Sequence, residues 1–295
     1  MNTTGYNTGT LAYDLLSGKL RGSRKHSEQL NKYLAGLIDT DGCVSLFFYK
    51  TRTTGKNKVK VLLNLTQAAV NDPDFEVLRA LRDFYNLGSL HYSLPANENA
   101  HPTCQWTLRD KDAKILFNRI GKHLRLKASH YENMVWISNE HSDIDDIPEE
   151  VIKELKAFRT CSLKSTTYLK MPKHLSWAYI AGVVAGDGCI KNYMREGRRY
   201  PTMNIRVTQG SQKLLTLFKR DFKGGIYHST SDHGEWYNWE RNLGISDSSF
   251  AVPFLKKVRK YIIHNRKYQA INEILYVHEE HRQQRLSREA REGKR

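Results

Sequence analysis

Apolar and polar positions follow two rhythms along this chain. In "VKVLLNLTQ", Val59 to Gln67, they mostly alternate, and "PTMNIRVTQ", Pro201 to Gln209, does the same. Alternation places successive side chains on opposite faces, so both segments predict half-buried strands. Elsewhere the apolar residues recur every three or four positions. "DFEVLRALRDFYN" (74–86) and "SQKLLTLFKRDF" (211–222) predict amphipathic helices. So do "DAKILFNRIGKHL" (112–124), "SHYENMVWISNE" (129–140), "SSFAVPFLKKVRKY" (248–261) and "YQAINEILYVHEE" (268–280). Two further stretches, "LAGLIDTDG" (34–42) and "IAGVVAGDG" (180–188), are mainly small or apolar and end in Asp41-Gly42 and Asp187-Gly188. An acid at the C-terminal end of a helix is disfavoured by the helix's own partial charge. The chain accepts that cost twice, about half its length apart.

The elements recur in one order around the two motifs. "CVSLFFYKT", a polar "RTTGKNK" turn and "VKVLLNLTQ" follow the first. "CIKNYMREG", a short turn and "PTMNIRVTQ" follow the second. Both return strands end in Thr-Gln, at Gln67 and Gln209. A helix, a glycine and a second hairpin come next: "LGSLHYSL" with "TCQWTLRD", then "GGIYHST" with "EWYNWERNLGI". The predicted fold is α+β, a pseudo-twofold duplication of an αββαββα unit. Its expected divisions are an N-terminal extension (1–28), a first half (29–139), a linker (140–172), a second half (173–285) and a basic tail (286–295). The linker opens acid-rich, and "PEEVIKELKAF" within it predicts a short helix.

Composition narrows the chemistry. Of 295 residues 39% are hydrophobic, enough to build a core, and Lys+Arg 47 against Asp+Glu 31 leaves +16. That excess points to a polyanionic partner. No apolar run approaches the ~18 residues of a membrane span. The N-terminus carries no secretory signal pattern. Cys43, Cys104, Cys161 and Cys189 show no C-x-x-C spacing, which argues against zinc and a disulfide framework and for a reducing compartment.

The motifs "LAGLIDTDG" and "IAGVVAGDG", each followed by a hairpin, resemble the paired motifs of the monomeric LAGLIDADG homing endonucleases. The resemblance covers roughly residues 30–285. It implies two halves forming a DNA-binding saddle, with the motif helices side by side at its centre. Ala35, Gly36, Ala181 and Gly182 are small enough for such a helix interface, and Gly182 and Gly186 form a G-x-x-x-G step. Asp41 and Asp187 would then meet, and two close carboxylates need a cation between them. Oxygen ligands favour Mg²⁺, or another divalent ion such as Mn²⁺. The resemblance adds the main-chain carbonyls of Thr40 and Gly186 as metal ligands. Asp39 has Ala185 as its counterpart, so it is assigned a structural or capping role.

By the same resemblance a glutamine and a lysine from each half surround the metals. Gln67 and Gln209 match by position, as does Lys127 in "LRLK". Lys267 in "HNRK" is the second lysine, with Arg266 as its competitor. The implied reaction is metal-dependent hydrolysis of both DNA strands, leaving staggered ends. Sheets lying in the major groove would read the sequence. Strand alternation sets Val44, Leu46 and Phe48 toward the core. It assigns Ser45, Phe47, Tyr49, Lys58, Lys60, Asn64 and Thr66 to DNA in half one. Lys191, Tyr193, Arg195, Thr202, Asn204, Arg206 and Thr208 are their partners in half two. The second hairpins add His91, Gln105, Thr107, Asn238, Glu240 and Asn242. The halves differ at these positions, so the target should not be a perfect palindrome. The expected partner is double-stranded DNA bound by a monomer, with intron RNA as the other candidate and no membrane. The expected location is intracellular, in a bacterial cytoplasm or an organelle. Two alternatives share the fold: an intron maturase and a non-cleaving DNA-binding regulator.

Overall fold

The two alternating segments form the second strand of each of two four-stranded antiparallel sheets. The computed structural model describes residues 6–20, 24–69, 75–95, 101–141, 144, 146–161, 173–193, 202–232, 234–244 and 248–292. It divides into two units, one of Leu20–Lys173 and one of Met1–Lys19 with His174–Arg295.

The first of these opens after a short helix of the other unit, α1 (Leu11–Leu16), with the motif helix α2 (Arg24–Asp41). There follow β1 (Gly42–Lys50), β2 (Asn57–Ala68), α3 (Glu76–Tyr85), β3 (Ser89–Ser93), β4 (Thr103–Arg109) and α4 (Lys111–Ile120). A single 3-10 turn, Gly121–His123, leads toward α5 (Ala128–Glu140). The strand order is β1-β2-β4-β3, so the alternating strand is central. Its inward residues Val59, Val61, Leu63 and Leu65 join Val44, Leu46, Trp106 and Leu108 in the core. Trp106 is fully buried, and its indole N–H donates to Leu87 O at 2.9 Å, which removes the cost of burying that group. The expected linker helix is α6 (Glu149–Cys161). The segment before it is not loose. Asp146 accepts from Asn57 N at 2.7 Å, and Lys58 Nζ donates to Ile144 O at 2.5 Å.

The other unit repeats the plan. The motif helix α7 (Trp177–Asp187), capped by Ser176, leads into β5 (Gly188–Tyr193) and β6 (Thr202–Gln209). Then come α8 (Gln212–Phe222), β7 (Gly225–Ser231), β8 (Gly234–Gly244), α9 (Ser248–Arg259) and α10 (Asn265–Glu292). The strand order β5-β6-β8-β7 matches the first sheet. Trp239 holds the place of Trp106: it is fully buried, and its indole N–H donates to Lys223 O at 2.6 Å. Register makes the equivalence explicit, since Leu65 pairs with Gly42 and Trp106, and Val207 with Gly188 and Trp239.

Two segments behave differently from what their composition suggests. The tail is not irregular: α10 runs on to Glu292, with residues 282–291 all exposed. The N-terminal segment is built into the second unit. Leu11 N donates to Lys260 O at 2.9 Å, and α1 buries Leu11, Ala12, Leu15 and Leu16.

Candidate functional site

Each motif helix ends on its acid, and a fixed set of groups gathers there. Asp41 is the last residue of α2 and Asp187 the last of α7. The chain leaves each helix tightly. A Cβ on Gly42 would lie 2.7 Å from Ile38 O, and one on Gly188 2.5 Å from Val184 O. Only glycine lets strand follow helix with no intervening loop, which is why the acid is held at the junction.

The side chains around the acids repeat in the two halves. Gln67 Nε2 donates to Asp41 Oδ2 at 3.2 Å, and Gln209 Nε2 to Asp187 Oδ2. Both glutamines are buried and sit at the inward-facing end of β2 and β6. Lys127 Nζ donates to Ile38 O at 2.8 Å, Thr40 O at 3.0 Å and Gly42 O at 2.5 Å. Lys267 Nζ donates to Val184 O at 2.7 Å, Gly186 O at 3.0 Å and Gly188 O at 2.8 Å. Arg266, the competing residue, is exposed. An ammonium against the last carbonyls of a helix satisfies acceptors that have no partner within the helix. It also offsets the negative end that would otherwise repel the acid. The carbonyls around the unfavourable carboxylate are thus bound by a lysine returning from a distant segment.

The lysines are anchored differently. In half one Asp39, only 2% exposed, accepts from Arg125 N at 2.6 Å, Leu126 N at 3.1 Å and Lys127 N at 2.9 Å. Asp39 therefore caps the segment that carries Lys127, the structural role its unmatched position implied. Nearby, buried His130 donates from Nε2 to Val44 O at 2.9 Å, and burial lowers its pKa. In half two Ala185 has no group to offer, and His264 is fully buried just ahead of Lys267. Burial, with a smaller contribution from the Lys267 charge, pushes His264 down to about 3, so it is neutral at physiological pH.

Either half offers the same oxygen donors to a metal: a carboxylate and the main-chain carbonyl of Thr40 or Gly186. These are hard ligands and fit Mg²⁺ or Ca²⁺ better than a thiophilic ion. Among the described residues no group of three or more His, Cys, Asp and Glu forms a self-contained metal cluster. Cys43, Cys104 and Cys189 are free thiols. Ala35 and Gly36 in α2, and Ala181 and Gly182 in α7, expected at a helix interface, are all buried.

Register sorts the residues expected to face DNA onto one face of each sheet. In the first sheet Tyr49 lies opposite Lys58, Phe47 opposite Lys60, and Asn64 between Cys43 and Thr107; Thr66 is opposite Gln105, which faces His91. Ser45 is on that face but buried, opposite Leu62, and Thr107 is buried too. A hydrogen-bonded chain runs from Thr107 Oγ1 to Gln105 Oε1 (3.2 Å) and from Gln105 Nε2 to Thr66 Oγ1 (3.1 Å). Phe47, 36% exposed, stacks on Tyr49, with Arg109 over its ring and Lys60 over Tyr49. Lys58 is held by the Ile144 carbonyl, as described above. Sequence reasoning missed Cys43, Ser89, Leu62 and Arg109 on this face: alternation run on to the strand ends reaches Cys43, Ser89 and Arg109, while Leu62 stands mid-strand between Lys60 and Asn64, its apolar side chain masking its place.

In the second sheet Lys191 pairs with Asn204 and Tyr193 with Thr202; Asn204 also faces Asn242, Arg206 faces Glu240 and Thr208 faces Asn238. Arg206 Nε lies 2.5 Å from Glu240 Oε1. Buried Asn238 accepts from Thr208 Oγ1 at 2.7 Å and donates to Ser229 Oγ at 3.2 Å. Asn204 is also buried. Tyr227, 55% exposed and opposite Asn238, shares this face and was not anticipated. Arg195 lies outside the described residues. For Tyr193 and Asn242 the structure gives the strand position alone.

Residues 34–133 match the model of the LAGLIDADG endonuclease family. No curated protein matches the sequence. Among solved structures, the LAGLIDADG homing endonuclease I-GzeII in complex with its DNA target superposes with a TM-score of 0.63. It is 18% identical, over 85% of this chain and 91% of that one. The meganuclease I-AabMI bound to uncleaved DNA gives 0.63 at 16% identity, over 86% and 92%. I-SmaMI, bound to an uncleaved DNA target in the presence of calcium ions, gives 0.56 at 18%, over 85% and 92%. The family match spans about a third of the chain, and over some 85% of its length the chain shares the duplicated fold of these solved endonucleases.

Proposed function

We propose that this protein is a site-specific DNA endonuclease that makes a staggered double-strand cut in a long, non-palindromic target by metal-dependent phosphodiester hydrolysis. The observation that carries the reading is the twin assembly at the ends of α2 and α7. An acid, a glutamine and a lysine recur there in the same geometry, although the surrounding sequences differ. Asp41 and Asp187, with the carbonyls of Thr40 and Gly186, would hold Mg²⁺ or Mn²⁺. Such an ion lowers the pKa of water and stabilises charge on a phosphate and its leaving oxygen. The chain's own contributions are separable. Gln67 and Gln209 fix the rotamers of the two acids. Lys127 and Lys267 place positive charge where a phosphate diester would add negative charge. The polar sheet faces, from Ser45 to Thr107 and from Lys191 to Asn242, would lie along the major groove, where base pairs are distinguishable.

One chain supplies both halves, so the working form is a monomer on an asymmetric duplex. Half one presents Asn64 and Thr107 where half two presents Arg206 and Glu240, so the two half-sites should differ in sequence. The test is cleavage of a randomised duplex library in Mg²⁺, with the cut ends sequenced. The expected result is one discrete, non-palindromic site, with loss of double-strand cutting in Asp187→Asn and in Asp41→Asn. Tight binding to one duplex or to a structured RNA without any cutting would replace this reading with a regulator or a maturase. Cutting that survives Asp187→Asn would remove that residue from the site.

A further inference from the structure

Lys127 and Lys267 make the same three contacts, and in half one the segment that carries Lys127 is tied to the carboxylate of Asp39. At the corresponding place in half two stands Ala185, which cannot accept a hydrogen bond through its side chain. The start of the chain reaches the segment 260–268 that presents Lys267. Tyr6 O–H donates to Ile263 O at 2.5 Å, and Asn7 N donates to Tyr268 Oη at 3.0 Å. The Tyr6 ring packs on the Tyr268 ring with centroids 4.8 Å apart. Leu11 N donates to Lys260 O at 2.9 Å, closing the other end of the same loop. Thr10 locks the strap's own turn, donating to Asn7 O at 2.8 Å and capping α1 at Tyr13 N. Ile262, Ile263, His264 and Tyr268 are each 1% exposed or less, so the strap's contacts are made on a buried segment.

We infer that residues 6–19 form a positioning strap for Lys267, taking in the second half the part that Asp39 has in the first. Tyr6 and Asn7 are its positioning residues: they act through Ile263 and Tyr268 and touch no reacting atom. A duplicated site whose second copy lost its internal acid is completed by chain from outside the duplication. The role given to Lys267 in the reaction rests on the nuclease reading; the position of its amine does not.

The experiment is lysine footprinting of the full chain. Wild type, Tyr6→Ala and Tyr6→Phe are treated briefly with N-hydroxysuccinimidyl acetate, and acetylation is read peptide by peptide. Lys127 is the control inside the same molecule. In Tyr6→Ala the acetylation rate of Lys267 should rise about fivefold, roughly what losing one hydrogen bond does to a local equilibrium. Lys127 should not change. Tyr6→Phe, which keeps the ring, should fall between. No change at Lys267, or an equal rise at both lysines, overturns the inference, the latter because the strap would then be a general stabiliser. The paired kinetic reading is single-turnover cleavage, where Tyr6→Ala should lower the rate at saturation and leave DNA affinity unchanged. Reduced affinity at an unchanged rate also overturns it. If the wild type cuts no DNA, the nuclease reading fails, and the footprint still decides whether the strap places Lys267.

Discussion

At the scale of single residues, the most consequential placement is Asp39. Three main-chain N–H groups converge on a nearly inaccessible carboxylate. Asp39→Ala should cost about 2–3 kcal/mol of unfolding free energy, since orphaned buried donors cost more than an average hydrogen bond gains. Urea denaturation measures it, and Asp39→Asn should recover part of the loss. The same variant should release Lys127, so cleavage should suffer more than folding. His264 predicts a pH effect of definite sign. Its folded pKa, about 3, lies below that of an unfolded histidine, so between the two values the unfolded chain binds the extra proton. Stability should therefore fall as pH drops below about 6.5 and go on falling toward 3. His264→Phe should flatten that slope in thermal melts between pH 7 and 4.

At the scale of elements, alternation and helical spacing carried most of the fold. "VKVLLNLTQ" became a central strand with Val59, Val61, Leu63 and Leu65 inward, because only that register buries the apolar set. The place of Gln67 beside Asp41 came from the family resemblance and from the Thr-Gln that ends both return strands; the hydrogen bond between them did not. The strap was not legible. "LAYDLL" makes a six-residue helix whose stability comes from tertiary contact, and so short a segment carries little periodic signal. Lys58 was read as a DNA contact from its alternation, but nothing local could reveal that the segment before α6 folds back onto Asn57 and Lys58. Burial of Ser45 and Thr107 likewise depends on neighbours across the sheet. The motif glycines give a sharper prediction. Gly188→Ala would drive a Cβ into the Val184 carbonyl and shift Asp187 away from Gln209. Cleavage should fall by at least about 100-fold, the penalty typical of misplacing a reacting group by ~1 Å, with little change in DNA affinity by titration.

At the scale of the whole molecule, the charge of +16 and the polar sheet faces predict a salt-dependent affinity. The logarithm of the binding constant should fall linearly with the logarithm of salt concentration as counterions are released. Lys60→Ala should weaken all sequences alike and reduce the slope by about 1, the mark of a phosphate contact. Arg206→Ala should instead relax preference at one position in one half-site, because its ion pair with Glu240 fixes where the guanidinium points. Fluorescence anisotropy across a salt series separates the two outcomes.

The chain visits its two folded bodies in the order second, first, second, because residues before Lys19 belong with those after His174. The duplication in sequence is therefore not a division into two transplantable modules. A gene cut between the repeats would leave a C-terminal product missing the side chains that cover its own core, Leu11, Leu15 and Leu16 among them. Such a product should be insoluble until residues 6–19 are supplied as a peptide or fused ahead of it. Any recombination that exchanges second halves between relatives must carry the beginning of the chain with its end.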